Sequence, residues 1–243
     1  MAVGNARVFG LEEGLGLHGT QFNDISTVFY VTYVVFEIPW SMAIKKFGAN
    51  RVMAVAMVTW SATTIGTGFI QNYAQAIALR LLLGFFEAGL FPCLTLVVSL
   101  IYTREQQAKR VCLLYAGIAI SGAFGGLIAF GIQDMGDRLG LAAWRWLFIV
   151  EGIISIVLGG LCWASLPKDA ENAWFLKPHE KALMRARKER DAIYTGDDKF
   201  SWHYVKLAFM DPFVYIAAAG LFLASVPLFG FATFLPTIIK GLG

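Results

Sequence analysis

A chain of 243 residues, 57% of them hydrophobic and only 15% charged, has too little charge to coat a water-facing surface, where about 25% is usual. Its formal net charge of +3 makes no case for nucleic-acid binding. The spacings of its three cysteines, Cys93, Cys112 and Cys162, match neither a zinc site nor a disulfide framework, and these residues read as small apolar packing groups.

Residues 1–21 are polar and glycine-rich, without the apolar run of a secretory signal. They read as an N-terminal segment on the extracellular side. Apolar stretches follow at roughly 22–44, 52–70, 74–102, 111–133, 144–166 and 212–239. Each is long enough to cross about 30 Å of hydrocarbon at about 1.5 Å per residue. The runs are continuous rather than alternating, which favours helices over barrel strands. A helix also satisfies its own backbone in lipid. The expected fold is all-α, a polytopic membrane protein of six transmembrane helices, five of them bundled over 22–166. Residues 167–211 read as a cytosolic central loop, in which Pro178 opens an amphipathic helix. The segment FSWHYVKLAFM near its end suits either a helix lying on the membrane surface or a solvated linker. The last span occupies 212–243.

The connections set the orientation. Residues 45–51 hold Lys45, Lys46 and Arg51 without an acid, and 103–110 hold Arg104, Lys109 and Arg110. The segment 167–211 holds nine Lys and Arg residues. Residues 71–75 carry no charge, and 134–143 carry Asp134, Asp137 and Arg138. The positive-inside rule places 45–51, 103–110 and 167–211 in the cytosol. Six spans then leave both termini outside, an arrangement that a further helix ahead of residue 1 would repair.

Ionisable residues inside the spans carry the functional signal, because charge in hydrocarbon is costly and faces a cavity or a partner. Arg80 and Glu87 stand seven residues apart in 74–102, on one helix face and about 10.5 Å apart along the axis. Gly84 between them leaves space above the backbone, and Pro92 beyond them can bend the helix. One reading makes Arg80 the binder of a substrate carboxylate through paired hydrogen bonds and Glu87 the group that takes up a proton. The other makes them a structural pair, or lets Arg80 snorkel outward. In the first span Asn23, Thr27, Tyr30, Glu37 and Ser41 form a polar stripe on one face. It lines either a wet cavity or a helix contact. The first of these adds Tyr30 and Asn23 as substrate contacts and Glu37 as a second proton-coupling group. Glu151 is a third deep acid, with no partner on its own face and a structural reading. In 111–133, Gly117, Ser121, Gly125 and Ala129 recur every four residues beside Gly122 and Gly126, a pattern that lets helices pack closely.

The sequence has no G-x-x-x-x-G-K-[ST] phosphate loop, no nucleophile elbow and no His/Cys metal cluster. No enzyme chemistry, cofactor or metal is expected.

Several segments together resemble the major facilitator superfamily, and within it the fungal allantoate-permease branch of the anion:cation symporters. FNDISTVFYVTYVVFEIPWSMAIKKFGANR is similar to the second helix and following loop of that branch, and RLLLGFFEAGLFPCLTLVVSLIYTREQQAKR to its fourth helix. WRWLFIVEG resembles the opening of the sixth helix, LPKDAENAWFLKPHEK the central loop, and FATFLPTIIKGLG the end of the seventh. GNARVFGLEEGLGL resembles the stretch just after the first helix.

The resemblance implies proton-coupled uptake of small organic anions such as allantoate, ureidosuccinate, nicotinate or pantothenate, across the plasma membrane. It implies that Arg80 and Glu87 match an arginine and a glutamate tied to substrate carboxylate and proton coupling. It also implies that Lys45, Lys46, Arg51 and Arg104 lie in cytosolic gating loops, although no Asp precedes Lys46 as in the commoner superfamily pattern. The family has twelve helices in two halves with substrate at their interface. This chain is similar to helices two through seven, an incomplete version of that fold. The expected partners are the bilayer, an organic anion, protons and possible complementing helices from another chain, without which transport is not expected. An exporter of a secondary metabolite and a non-transporting membrane relic are the competing functions.

Overall fold

The computed structural model describes residues 2–102, 104–135, 139–165, 173–195 and 202–242. All regular elements among the described residues are α-helices. The chain divides into two units, Met1–Trp174 and Phe175–Gly243.

The first unit holds α1 (Ala2–Val8), α2 (Leu11–Leu15), α3 (Gln21–Phe47), α4 (Ala49–Thr67), α5 (Tyr73–Glu87), α6 (Leu90–Ile101), α7 (Arg104–Met135) and α8 (Ala143–Ser165). The N-terminal segment is more than a polar lead-in. Ala6, Leu11 and Leu15 are buried in one core with Phe22, Ile25, Trp144, Leu147 and Phe148. Gly10 and Gly16, at φ 88° and 58°, make the left-handed turns that separate the two short helices from each other and from the first span.

Four stretches are long and apolar enough to cross a membrane: Gln21–Ile44, Tyr73–Ser99, Gln106–Gln133 and Ala143–Ser165. Two of the six expected spans look different. α4 is helical over 19 residues but rich in hydroxyls. Thr59, Ser61, Thr63, Thr64 and Thr67 each donate to the carbonyl four residues earlier, at 2.6–3.0 Å. The hydroxyls are therefore satisfied without water, as an apolar setting demands. α11 is 31 residues long, with its apolar stretch among the described residues at Pro212–Leu228.

The close helix contact is not where the sequence pattern puts it. Gly117, Gly125 and Gly126 of α7 meet nothing within 4 Å, whereas glycines of α8 meet α4. A Cβ at Gly152 would overlap Ile65 Cγ1 and stand 3.1 Å from the Ser61 carbonyl. One at Gly159 would stand 3.2 Å from Met57 Cβ. Arg145 of α8 also donates to the Gly68 carbonyl at 3.0 Å, tying the end of α4 to the start of α8.

The two expected basic loops are largely helix. Lys45 and Lys46 continue α3, Arg51 belongs to the first turns of α4, and Gly48 alone turns the corner at φ 87°. Arg104, Lys109 and Arg110 lie in the opening turns of α7. The long side chains at these positions do not prevent helix, because straight-chain basic residues lose little rotamer freedom there.

The second unit holds α9 (Pro178–Thr195), α10 (Trp202–Met210) and α11 (Pro212–Leu242). Glu180 accepts from the Lys177 N–H at 2.7 Å at the start of α9, and Asp211 accepts from the Phe213 N–H at 2.9 Å at the start of α11. Tyr215 donates to the Phe209 carbonyl at 2.8 Å and links α10 to α11.

Replacing Gly152 by Ala should lower the unfolding free energy by about 1–3 kcal/mol, because α4 leaves no room for the methyl group. Gly160→Ala, at a position open to 4 Å, should leave stability unchanged or slightly higher. Thermal unfolding in mild detergent compares them, and equal responses would contradict the close α4–α8 approach.

Candidate functional site

Three stretches, α3, α5 with α6, and α8, repeat one order along their length. α3 places Phe22 and Ile25 in the first core and Ile44 in the second, which also holds Val52, Met53 and Cys93. α5 begins with Ala76 in the first core, and α6 continues into the second through Leu90, Cys93 and Val97. α8 runs from Trp144 and Phe148 in the first core to Cys162 against the second. Between the two apolar layers these helices carry Tyr30, Tyr33, Glu37, Arg80, Glu87 and Glu151. The layering raises the cost of leaving those groups without partners.

Arg80 is the centre of this band. It is 8% exposed, and its guanidinium lies 5.7 Å from the Phe148 ring centroid. It stands within electrostatic range of Glu87, Glu151 and Tyr30. Outward snorkelling is thus not its conformation. Among the described residues the one ion pair within 4 Å is Arg7–Glu12, so Arg80 serves its acids through the field and not through a closed bridge. Glu151, one turn of α8 beyond Phe148, stands in the field of Arg80 from a different helix, a relation that spacing along a single helix does not reveal.

The helix pair α3–α5 fixes the geometry. Asn72 caps α5 by accepting from the Gln75 N–H at 2.9 Å. Tyr73 donates to Asp24 at 3.4 Å. Further along, a Cβ at Gly84 would overlap the Phe29 carbonyl and Thr32 Oγ1. The space above Gly84 is therefore filled by α3 and is not a gap between the two charges. Trp40 donates its indole N–H to the Phe85 carbonyl at 2.6 Å, and Phe36 meets Phe85 edge-on at 4.6 Å.

These contacts bring Tyr30 and Tyr33 into the field of Glu87, and Tyr33 also into that of Glu37. Glu37 is half-buried on α3, and the Ser41 hydroxyl one turn on donates to the Glu37 backbone carbonyl at 2.9 Å. Asn23 is not brought to the group. It is exposed near the start of α3, about 10 Å from Tyr30 by helical rise. Lys46 and Arg51 are exposed on either side of Gly48, and Lys46 lies 5.4 Å from the Phe47 ring centroid. The side chains of Lys45 and Arg104 lie outside the described residues. Tyr33 and Phe148 were not singled out by sequence. Tyr33 lies three residues after Tyr30 and four before Glu37, a helical spacing that could have added it to the stripe, and Phe148 looks like ordinary core. No group of three or more His, Cys, Asp or Glu suited to a metal occurs among the described residues.

A helical bundle with membrane-length spans and ionisable groups held between two apolar layers defines a multi-pass membrane protein. The Major Facilitator Superfamily model matches residues 4–243, and the chain belongs to that family. It is 46% identical to an uncharacterized transporter of Schizosaccharomyces pombe, over 99% of this chain and 48% of that protein. It is 36% identical to the high-affinity nicotinic acid transporter of Saccharomyces cerevisiae, over 99% of this chain and 45% of that one. Its fold is similar to the crystal structure of a bacterial homolog of the human lysosomal transporter Spinster, inward-facing and unoccupied. The TM-score there is 0.65 at 15% identity, covering 97% of this chain and 51% of that chain. The chain spans about half the length of the curated relatives it matches.

If one cation serves two acids, removing it should be felt through both. Arg80→Met should lower stability, and adding Glu87→Gln should recover part of the loss. A double-mutant cycle in detergent should return a coupling of about 1–2 kcal/mol. Simple additivity would show that the groups share no field.

Proposed function

We propose that this chain, assembled with complementing helices, serves the proton-coupled uptake of small organic carboxylates across the plasma membrane, with its basic corners in the cytosol. The observation that carries this reading is Arg80: buried to 8% exposure, in the field of two acids, and joined to neither by a bridge shorter than 4 Å among the described residues. Such a guanidinium keeps its planar donors available for the two oxygens of a carboxylate. The similarity over 99% of the chain to a nicotinic acid transporter supports an aromatic monocarboxylate as one substrate.

The coupling follows from charge competition. With Glu87 ionised, its field and that of Glu151 oppose an incoming anion. A proton on Glu87 removes one of these terms. At about 10 Å and an effective dielectric constant of about 20, the term is about 1.7 kcal/mol, a 10–20-fold change in anion affinity. Anion and proton then favour each other's binding, as a symporter requires. Tyr30 stands beside Arg80 and can orient the anion. Glu37 lies farther along α3 and suits a proton on its way to or from the cytosolic side. Asn23 suits an outer contact at entry. Lys46 and Arg51, with Lys45 and Arg104, would hold the cytosolic ends through charge pairs that differ between conformations.

In proteoliposomes holding the chain together with complementing helices, with a proton gradient and labelled nicotinate as probe, Glu87→Gln should abolish gradient-driven uptake while sparing nicotinate exchange. Driven uptake at the native rate in that variant would remove Glu87 from the mechanism.

A further inference from the structure

The stretch that reads as one span over 74–102 is interrupted at Ala88–Gly89, between α5 and α6, where both residues keep right-handed helical dihedrals but the regular ladder is broken. Pro92 explains part of the cut, since it lacks the N–H that would reach the Ala88 carbonyl. It does not explain a break that begins at the end of α5. The rest comes from α3. The indole N–H of Trp40 donates to the Phe85 carbonyl at 2.6 Å. Gly89 approaches the same ring so closely that a Cβ there would stand 3.0 Å from Trp40 Cγ and Cδ2. A side chain inserted into the helix ladder is a known origin of kinks, and in an apolar setting the freed carbonyl must be satisfied by such a neighbour.

The two sides of the break are held by different groups. Before it, Phe85 packs against Phe36 and Trp40 of α3. After it, Cys93 is fully buried with Ile44, Val52 and Met53, and its thiol donates to the Ala49 carbonyl at 3.7 Å. Glu87 is the last residue of α5, directly before the break. A change in charge at Glu87 therefore occurs beside the interruption of the helix ladder.

We propose that Trp40 is a latch on a hinge at Ala88–Gly89. With the indole bonded to Phe85, α6 is held in its present angle to α5. When the indole lets go, α6 turns about the break and its buried face opens. Trp40 is a positioning residue, acting on Glu87 and α6 through the backbone. The link to transport rests on the reading of Glu87 given above, but the hinge itself does not.

Cys93 is a built-in reporter of the opening. With Cys112→Ser and Cys162→Ser in the full chain, Cys93 is the sole thiol, and its modification by N-ethylmaleimide is followed by mass spectrometry without substrate. Trp40→Phe keeps an aromatic ring but removes the donor. It should label about tenfold faster than the parent, the change that losing one hydrogen bond of ordinary net worth allows. Gly89→Ala, whose methyl group displaces the indole, should also label faster and stands in if Trp40→Phe fails to fold by circular dichroism. Gly152→Ala loosens the α4–α8 contact away from the latch and should label near the parent rate. Parent-rate labelling in both latch variants overturns the proposal, as does equal acceleration in Gly152→Ala. Transport separates the two readings. With nicotinate, Trp40→Phe should keep binding affinity within about twofold and lose most of the maximum rate, because one bond at the hinge is made outside the binding contacts. If the native chain with complementing helices moves no nicotinate, the carrier reading fails and the labelling result still decides the latch. Intact rate with unaltered labelling overturns the latch alone.

Discussion

A guanidinium held away from water between two apolar layers sets the terms for the rest of this bundle. Arg80 cannot lose its proton at any accessible pH, so its charge has to be balanced by what surrounds it. The fold supplies a ring face from Phe148, two acids on different helices and a tyrosine from a third. That supply brings α3, α5 and α8 together at one height. It also leaves the cation without a private partner, which is the condition for exchanging one anion for another.

Close backbone approach makes the arrangement possible. Gly84 lets α3 lie directly on α5, and Gly152 lets α4 lie on α8. Packed interiors do not deform continuously, so such contacts are either made or broken. The glycine contact at Gly84 therefore sits within the two turns of α5 that carry Arg80 and Glu87. The Ala88–Gly89 break, by contrast, gives the chain a place to bend. The site thus joins a stiff frame, α3 against α5, to a bendable continuation, α6. The hydroxyl-rich α4 needs no water to stand among apolar neighbours, because its hydroxyls bond to its own backbone.

Much of this is legible in the sequence because charge and hydrophobic length obey strong, local rules. The seven-residue spacing of Arg80 and Glu87 places them on one face of any helix, and the apolar runs mark where helices lie. Relations between helices are not legible in that way. Nothing in the spacing of Glu151 reveals that Arg80 lies across from it, because the partner belongs to α5. Gly84 reads as open space from one helix alone, but the second helix fills it. The row of small residues in α7 satisfies the pattern for close packing, yet Gly117, Gly125 and Gly126 meet nothing within 4 Å, while Gly84 of α5 and Gly152 of α8 meet a neighbouring helix. Pro92 signals a bend, while the length of the break depends on Trp40, which reads as an ordinary aromatic in its own span. The basic segments 45–51 and 103–110 read as loops by charge, although their residues are good helix formers and continue the helices.

The central claim is that a proton and an organic anion favour each other's binding through the field around Arg80. The most direct measurement is proton uptake on nicotinate binding, followed with an indicator dye in weakly buffered solution of the detergent-solubilised protein. The account predicts that a proton is taken up as each anion binds, and that Glu87→Gln binds the anion without it. Anion binding with no proton uptake by the native protein would contradict the account.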